Sequence, residues 1–236
     1  MMNFQAIAII PARGGSKRFP RKNIALLDGK PLLTYPLKVV RDSNQFEEVF
    51  VSTEDSEISD IAKRAGARVH DRKVEFATDT AHELDACLDL LDDWEASGKK
   101  IPDYICVIYP TAILIEEQDL VKSCEILKEN SETEVVMCVS EFNYHPYKSL
   151  TVNEQGYLEM MFPVECKQRS QSYPSFVASN GTFYWVHVET LRKNRIKSYY
   201  QDRLKPYIIP YERAVDIDYP EDLKKAELMI KMRKEK

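Results

Sequence analysis

Three short clusters of residues in this chain could do chemistry. The first is Pro11-Ala12-Arg13-Gly14-Gly15-Ser16-Lys17-Arg18-Phe19-Pro20-Arg21-Lys22-Asn23. Two of the chain's seven glycines are adjacent there, and five cations fall between Arg13 and Lys22. Glycines let backbone N–H groups approach a phosphate, and cations neutralise it. Arg13 can clamp phosphate oxygens bidentately, while Lys22 can act as a compact point charge. The spacing fits neither the GxxxxGKS/T phosphate loop nor the dinucleotide GxGxxG. The second cluster lies between His70 and Thr80 and contains Arg72, Ala77, Thr78 and Asp79. By itself it reads as a polar loop. The third is Val215-Asp216-Ile217-Asp218-Tyr219-Pro220-Glu221-Asp222. On a strand, Asp216 and Asp218 would project from one face, with Val215 and Ile217 toward the core. Such a carboxylate pair suits Mg2+, with phosphate oxygens and water completing its shell. The same residues also read as a helix start: Asp218 as cap, Pro220 at the first position, Glu221 and Asp222 complementing the helix dipole. The two readings are compatible.

These clusters sit at the ends of predicted elements. Residues 5–10 read as a buried strand and 31–42 as a helix with an interior proline. A second strand is expected at 48–52, then a helix over 56–65 capped by Thr53 and ended by Gly66. Ala67 to His70 read as a third strand, 81–97 as a helix, 103–109 as a strand, 117–129 as a helix and 134–140 as a strand. Continuous apolar strands alternating with helices indicate a mostly parallel sheet covered on both faces. Ligands of such sheets bind beyond the carboxyl ends of the strands. That rule selects the loops after Ile10, Ser52, His70 and Tyr109. From 142 to 175 the pattern changes to short aromatic pieces with a turn signal at Asn153–Gly156, an antiparallel excursion. Strands are expected again at 182–188, Tyr207–Ile209 and Val215–Asp218. Pro220 opens a last helix, and Lys231–Lys236 form its solvated basic end.

Composition narrows the function. The 236 residues are 44% apolar and 30% charged, ordinary for a soluble globular chain. They read as a single domain over 1–236. The net charge of −5 argues against a nucleic-acid binder, so a polyphosphate must be held by local positive charge. The five cysteines form no CxxC pair and read as buried free thiols of a reducing, cytoplasmic compartment. The four histidines show no metal spacing. No apolar run is long enough for a membrane span, and the N-terminus lacks the basic region of a signal peptide.

The first cluster resembles the signature L/I-x-A-R-x-G-S-K-x-x-x-x-K-N of the acylneuraminate cytidylyltransferases. These are the CMP-sialic acid synthetases and their pseudaminic and legionaminic acid relatives. The likeness extends along almost the whole chain. Arg72, Ala77 and Asp79 align with the family's R-P-x-x-x-A-x-D, with Lys73 replacing the proline. Tyr109-Pro110-Thr111-Ala112 is intermediate between the sialic form, with Q-P-T-S-P, and the pseudaminic form, with Y-A-T-A-P. Asp216 and Asp218 fall in the family's D-I-D-x-P-E-D.

The resemblance implies an α/β nucleotidyltransferase fold, Rossmann-like in three layers, with 142–175 as a dimerisation arm of a homodimer. It implies transfer of CMP from CTP to a nine-carbon sugar acid. Nucleotide contacts would come from Ala12, Arg13, Gly14, Gly15, Ser16, Lys17, Lys22, Asn23, Arg72, Ala77, Thr78 and Asp79. Arg72 would donate to the cytosine 2-carbonyl, and Thr78 or a nearby carbonyl would accept from its 4-amino group. Sugar contacts would come from Thr111, Arg169, Gln171, Asn180, Gly181, Phe183 and Tyr184. Arg13, Lys22, Asp216 and Asp218 would be catalytic, with Asp216 and Asp218 holding Mg2+. Alternatives are another sugar nucleotidyltransferase such as a CMP-Kdo synthetase, a metal-dependent glycosyltransferase using Asp216-x-Asp218, or a silent binding protein of the same fold.

Overall fold

The computed structural model describes residues 4–194 and 197–234. In chain order the elements are β1 (Ala6–Pro11), a hairpin of β2 (Leu26–Leu27) and β3 (Lys30–Pro31), α1 (Thr34–Asp42), β4 (Val49–Thr53), α2 (Ser56–Arg64), β5 (Arg68–Asp71), α3 (Glu83–Ala96), β6 (Tyr104–Ile108), α4 (Glu117–Glu129) and β7 (Val135–Glu141). Then come a hairpin of β8 (Leu150–Val152) and β9 (Leu158–Met160), β10 (Val177–His187), α5 (Val188–Asn194), β11 (Leu204–Ile208) and α6 (Pro220–Lys234). Seven strands form one sheet in the order β11-β7-β10-β6-β1-β4-β5. All neighbours run parallel except β10, which is antiparallel to both β6 and β7.

Alternation along β1 builds two cores at once. Ala6, Ala8 and Ile10 face the side covered by α1, α2 and α4, where Leu37, Ile58 and Leu120 are fully buried. Ile7 and Ile9 face α3, against Leu84, Leu91 and Trp94. A strand buried on both faces must be apolar at every position, and this one is. Four of the five cysteines are buried in these layers. Burial raises the Cys138 thiol to about 12. Among the described residues, no helix is long and apolar enough to cross a membrane.

A third, smaller core positions the chemistry. It joins Phe19 of the cationic loop, Leu27 and Leu32 of the first hairpin region, Ile113 and Leu114, Val215 and Ile217 of the acidic segment, and Ala226 and Ile230 of α6. Burying a Phe side chain contributes about 1.5–3 kcal/mol, against about 0–1 kcal/mol for an exposed ion pair. Apolar anchoring therefore outweighs the surface charges in holding loop and acidic segment side by side.

Several expectations are corrected. The first helix starts at Thr34, because Lys30 and Pro31 pair with the preceding strand. Pro36 falls in its first turn, where backbone N–H groups have no intrahelical acceptor, so it needs no kink. Asp55 caps α2 by accepting from Ile58 N at 3.0 Å, whereas the Thr53 hydroxyl accepts from Asp55 N at 3.1 Å. β10 begins at Val177, five residues before the expected strand, and carries a register shift between Ser179 and Tyr184. Gly181 sits inside that bulge at φ +63, a conformation that favours glycine.

The last sheet strand is Leu204–Ile208 rather than 207–209. Val215–Asp218 forms no strand, since Val139 pairs with Ile208 and accepts from Ile209 N, ending the ladder before that segment. The in–out alternation survives without the ladder: Val215 and Ile217 are buried and Asp216 is exposed. The turn at Asn153–Gly156 joins β8 to β9 as expected, with Gly156 N donating to Asn153 O at 2.9 Å. Of the expected basic helix end, residues 235–236 lie outside the described residues.

Candidate active site

The carboxyl ends of β1, β4 and β5 are in register, with Pro11 opposite Ser52 and Ser52 opposite His70. The loops leaving β1, β5 and β6, with the start of α3, enclose a cleft of about 500 Å3. Its walls include Arg13, Ser16, Lys17, Arg18, Lys22, Asn23, Arg72, Thr78, Asp79, Glu83, Tyr109 and Thr111.

The cationic loop is braced from beneath. Ala12 is fully buried, and its N–H donates to Ser52 O at 2.9 Å. The buried Asn23 amide donates to Arg13 O at 2.9 Å. Gly14 N donates to Glu54 Oε1 at 2.7 Å, so this amide is turned into the protein rather than toward a ligand. A Cβ on Gly14 would lie 2.5 Å from Asp55 Oδ2, so a larger residue would have to displace the carboxylate that caps α2. Gly15 has open space around it. Ser16 N donates back to Gly14 O at 3.1 Å.

Carboxylates from distant segments hold the loop's cations. Arg13 Nη1 donates to Asp79 Oδ1 at 2.9 Å and to Thr78 O at 3.0 Å, and Lys17 pairs with the same Asp79. Lys17 and Arg13 together hold the Asp79 carboxyl below the usual carboxylate range. Lys22 Nζ reaches Asp218 Oδ1 at 3.1 Å, and Arg18 reaches Asp218 Oδ2 at 2.7 Å. Asp216 points to solvent, yet protein crowded around its carboxyl and the charge of Asp218 push its pKa up. A carboxylate whose ionised form is disfavoured by burial and by a neighbouring carboxylate gains from a nearby cation.

The segment bearing them is tied down by Arg213. Its guanidinium makes a two-toothed pair with Asp119 of α4, at 2.6 and 2.9 Å, and Tyr207 of β11 donates to the same carboxylate at 3.0 Å. The Asp119 side chain is only 3% exposed. Removing one partner of a buried pair typically costs about 3–5 kcal/mol.

The base-side residues are partly in place. Arg72 is 5% exposed and lines the cleft. Its Nε donates to Ser52 Oγ at 3.0 Å and its Nη2 to Ser52 O at 2.8 Å. Thr78 and Asp79 line the cleft and Ala77 does not.

On the sugar side, Thr111 lines the cleft. Phe183 does not belong there: it is fully buried against Tyr207, because its position on β10 faces the first core. Tyr184 faces the other side, stacked on Tyr199 and edge-on to Tyr109, one layer behind the cleft. Asn180 is turned to Cys138, with Nδ2 at 3.6 Å from Sγ, and Gly181 shapes the bulge. Arg169 and Gln171 lie on the exposed excursion, outside the cleft of their own chain.

Three polar cleft residues fall outside the site assigned from sequence: Arg18, Glu83 and Tyr109. Arg18 was within the loop but had no assigned role. Tyr109 donates its phenol to Glu83 Oε1, and burial followed by the Glu83 charge raises the Tyr109 pKa, keeping it a donor. Glu83 opens α3, where an acid is expected for the helix dipole alone, so nothing in its spacing marks it as a cleft residue.

Comparison with known proteins agrees with this geometry. Residues 7–234 match the family model described as cytidylyltransferase. The chain is 31% identical to a pseudaminic acid cytidylyltransferase of Campylobacter jejuni, over 97% of each chain. It is 30% identical to a CMP-N,N'-diacetyllegionaminic acid synthase of Legionella pneumophila, again over 97% of each. An N-acylneuraminate cytidylyltransferase A of Danio rerio is 30% identical over 90% of this chain and 49% of its own length. A solved CMP:2-keto-3-deoxy-manno-octonic acid synthetase complexed with CTP superposes with TM-score 0.73 over 97% of this chain and 99% of that chain. At 14% identity that likeness carries the fold alone, not the octonic acid alternative. The glycosyltransferase alternative is set aside by the family match. A cationic loop beyond β1, lining a sheet-end cleft and paired with Asp218 of the acidic segment, thus stands in a chain that belongs to the cytidylyltransferase family.

Proposed function

We propose that this chain transfers CMP from CTP to a nonulosonic acid, a nine-carbon sugar acid of the sialic, pseudaminic or legionaminic type, releasing pyrophosphate. The observation that carries this reading is the cleft itself: Arg13, Lys17, Arg18 and Lys22 on one wall, paired with carboxylates that a triphosphate can replace. The substrate class follows the named activities of relatives that align along nearly the whole chain.

In this reading Arg13, Lys17 and Lys22 bind the triphosphate and offset its charge. Arg72 faces the base. The sugar's anomeric hydroxyl attacks the α-phosphorus, the bond to the β,γ-diphosphate breaks, and the hydroxyl proton passes to solvent or a nearby base. Catalysis rests on positioning and charge neutralisation, with no protein nucleophile.

Among the described residues no group of three or more His, Cys, Asp or Glu side chains could enclose a metal ion. The donor set present, Asp216 and Asp218, suits Mg2+, which is content with one or two carboxylates when phosphate oxygens supply the rest. Asp216 and Asp218 would hold it, and it would add Lewis-acid neutralisation of the phosphate charge.

The excursion 142–175 would be the arm of a homodimer and would bring Arg169 and Gln171 to the partner's sugar site. It supports that role by its exposed apolar side chains, including Tyr144 at 83% and Tyr157 at 73%. Sedimentation over a dilution series should show a dimer, and monomer at every concentration would remove the arm's role.

The direct test supplies CTP and Mg2+ with N-acetylneuraminic, legionaminic or pseudaminic acid separately and measures pyrophosphate. Release with one of them is expected, and CTP binding without release for any would overturn the transfer. Asp216→Asn should lower the maximum rate far more than it weakens CTP binding, and unchanged turnover would sink the metal assignment. The same variant has a signature in the absence of metal. The folded pKa of Asp216 is raised, so its ionised form costs stability once pH rises through that value. Asp216→Asn should therefore melt higher than the parent at neutral pH, the gain vanishing below the ordinary carboxylate range, about 4. Thermal melts at both pH values check the sign.

A further inference from the structure

Behind the base side of the cleft lies a chain of buried polar side chains that the reaction above does not use. Ser52, on β4, is fully buried. Its Oγ lies 3.0 Å from Arg72 Nε and 3.0 Å from His70 Nδ1. His70 is buried too, and its Nε2 faces Asp89 Oδ2 of α3 at 3.3 Å. The pair does not close a hydrogen bond, and neither Nε2 nor Oδ2 has a hydrogen-bond partner among the described residues. The other oxygen of Asp89 pairs with Lys73, and Asp93 Oδ2 stands 3.7 Å from Nε2.

Donor logic settles the direction of this chain. A guanidinium can only donate, so Ser52 Oγ accepts from Arg72. The buried hydroxyl proton of Ser52 finds its acceptor among the described residues in His70 Nδ1, and the tautomer that satisfies it leaves Nδ1 unprotonated. The His70 proton therefore sits on Nε2, toward Asp89. Burial lowers the His70 pKa, which agrees with a neutral ring. The same serine's carbonyl accepts from Arg72 Nη2 at 2.8 Å and from Ala12 N at 2.9 Å. Two of the three nitrogens of Arg72 are thus pinned to one residue. Nη1 remains the corner with no partner among the described residues.

We infer that His70 and Ser52 are positioning residues for the nucleotide base: by accepting the Ser52 hydroxyl proton, His70 keeps Ser52 Oγ an acceptor for Arg72 and so aims the guanidinium's open corner at the pyrimidine. This rests on the reading of Arg72 as the base-facing group. The side-chain network is aimed at the base: the cationic side chains that face the triphosphate are held by Asp79 and Asp218, and Ser52 reaches that loop through its backbone carbonyl, which the substitutions below leave in place.

The test compares two probes, CTP and inorganic tripolyphosphate, by calorimetric titration of the full chain. His70→Leu removes the acceptor at similar bulk, and His70→Asn keeps one where Nδ1 stands. Expected for His70→Leu is a roughly tenfold loss of CTP affinity, the effect of one hydrogen bond, with tripolyphosphate binding unchanged. His70→Asn should regain most of the loss. Ser52→Ala, which removes one oxygen, should match His70→Leu and serves if that variant does not fold. Equal losses on both probes would reduce the network to scaffolding and overturn the inference, as would no loss on CTP. Arg72→Lys, run alongside, separates the layers. If it leaves CTP affinity intact, the base-facing reading falls and this inference with it. If it weakens CTP while His70→Leu and Ser52→Ala do not, only the positioning role falls.

Discussion

An acidic protein that must hold a highly charged anion depends on where it keeps its positive charge. Here the net charge is −5, and the counterweight is one loop. Its cations would repel one another if left alone. Asp79 and Asp218, far apart in sequence, hold four of them in two sets of two, and Asp55 with Glu57 holds Arg21. These contacts are partly solvent-exposed, and such pairs are worth only about 0–1 kcal/mol each. They offset the loop's charge yet are weak enough to yield to a polyphosphate, whose oxygens accept the same charge-assisted hydrogen bonds.

Because the pairs are weak, something else must fix the loop's position. Beneath it, backbone amides of Ala12 and Gly14 are tied to β4 and its following loop, and Phe19 is sunk in the small third core. Val215 and Ile217 enter that same core from the other side. One apolar cluster therefore sets the distance between the phosphate-facing cations and the carboxylate pair. The buried Arg213–Asp119 pair adds a second, polar tether immediately before Asp216.

Much of this was legible in the residues. The loop was readable because glycine and charge are concentrated there against an acidic background, and the parallel strands because they are apolar at every position. Asp216 stands outward as expected, but for another reason, while Asp218 is half-buried against Lys22 and Arg18. A strand and an extended segment packed on a small core give the same in–out alternation, and only ladder partners tell them apart. β10 extends back beyond the apolar run 182–188 because Ser179, Asn180 and Gly181 form a bulge within the strand. Phe183 and Tyr184 show the limit of aromatic composition, since adjacent strand residues face opposite sides and one of the two was bound to leave the cleft. Glu83 and the Ser52–His70–Asp89 chain were not visible at all, because their partners lie far away in sequence and carry no motif.

The claim on which everything else stands is that the cleft takes a triphosphate by charge. Titrating CTP and cytidine into the protein at low and at moderate salt measures this without any turnover. The expected result is CTP binding far tighter than cytidine, with the margin shrinking as salt screens the loop. Equal affinities, or a margin indifferent to salt, would contradict electrostatic capture and move the nucleotide away from the loop after β1.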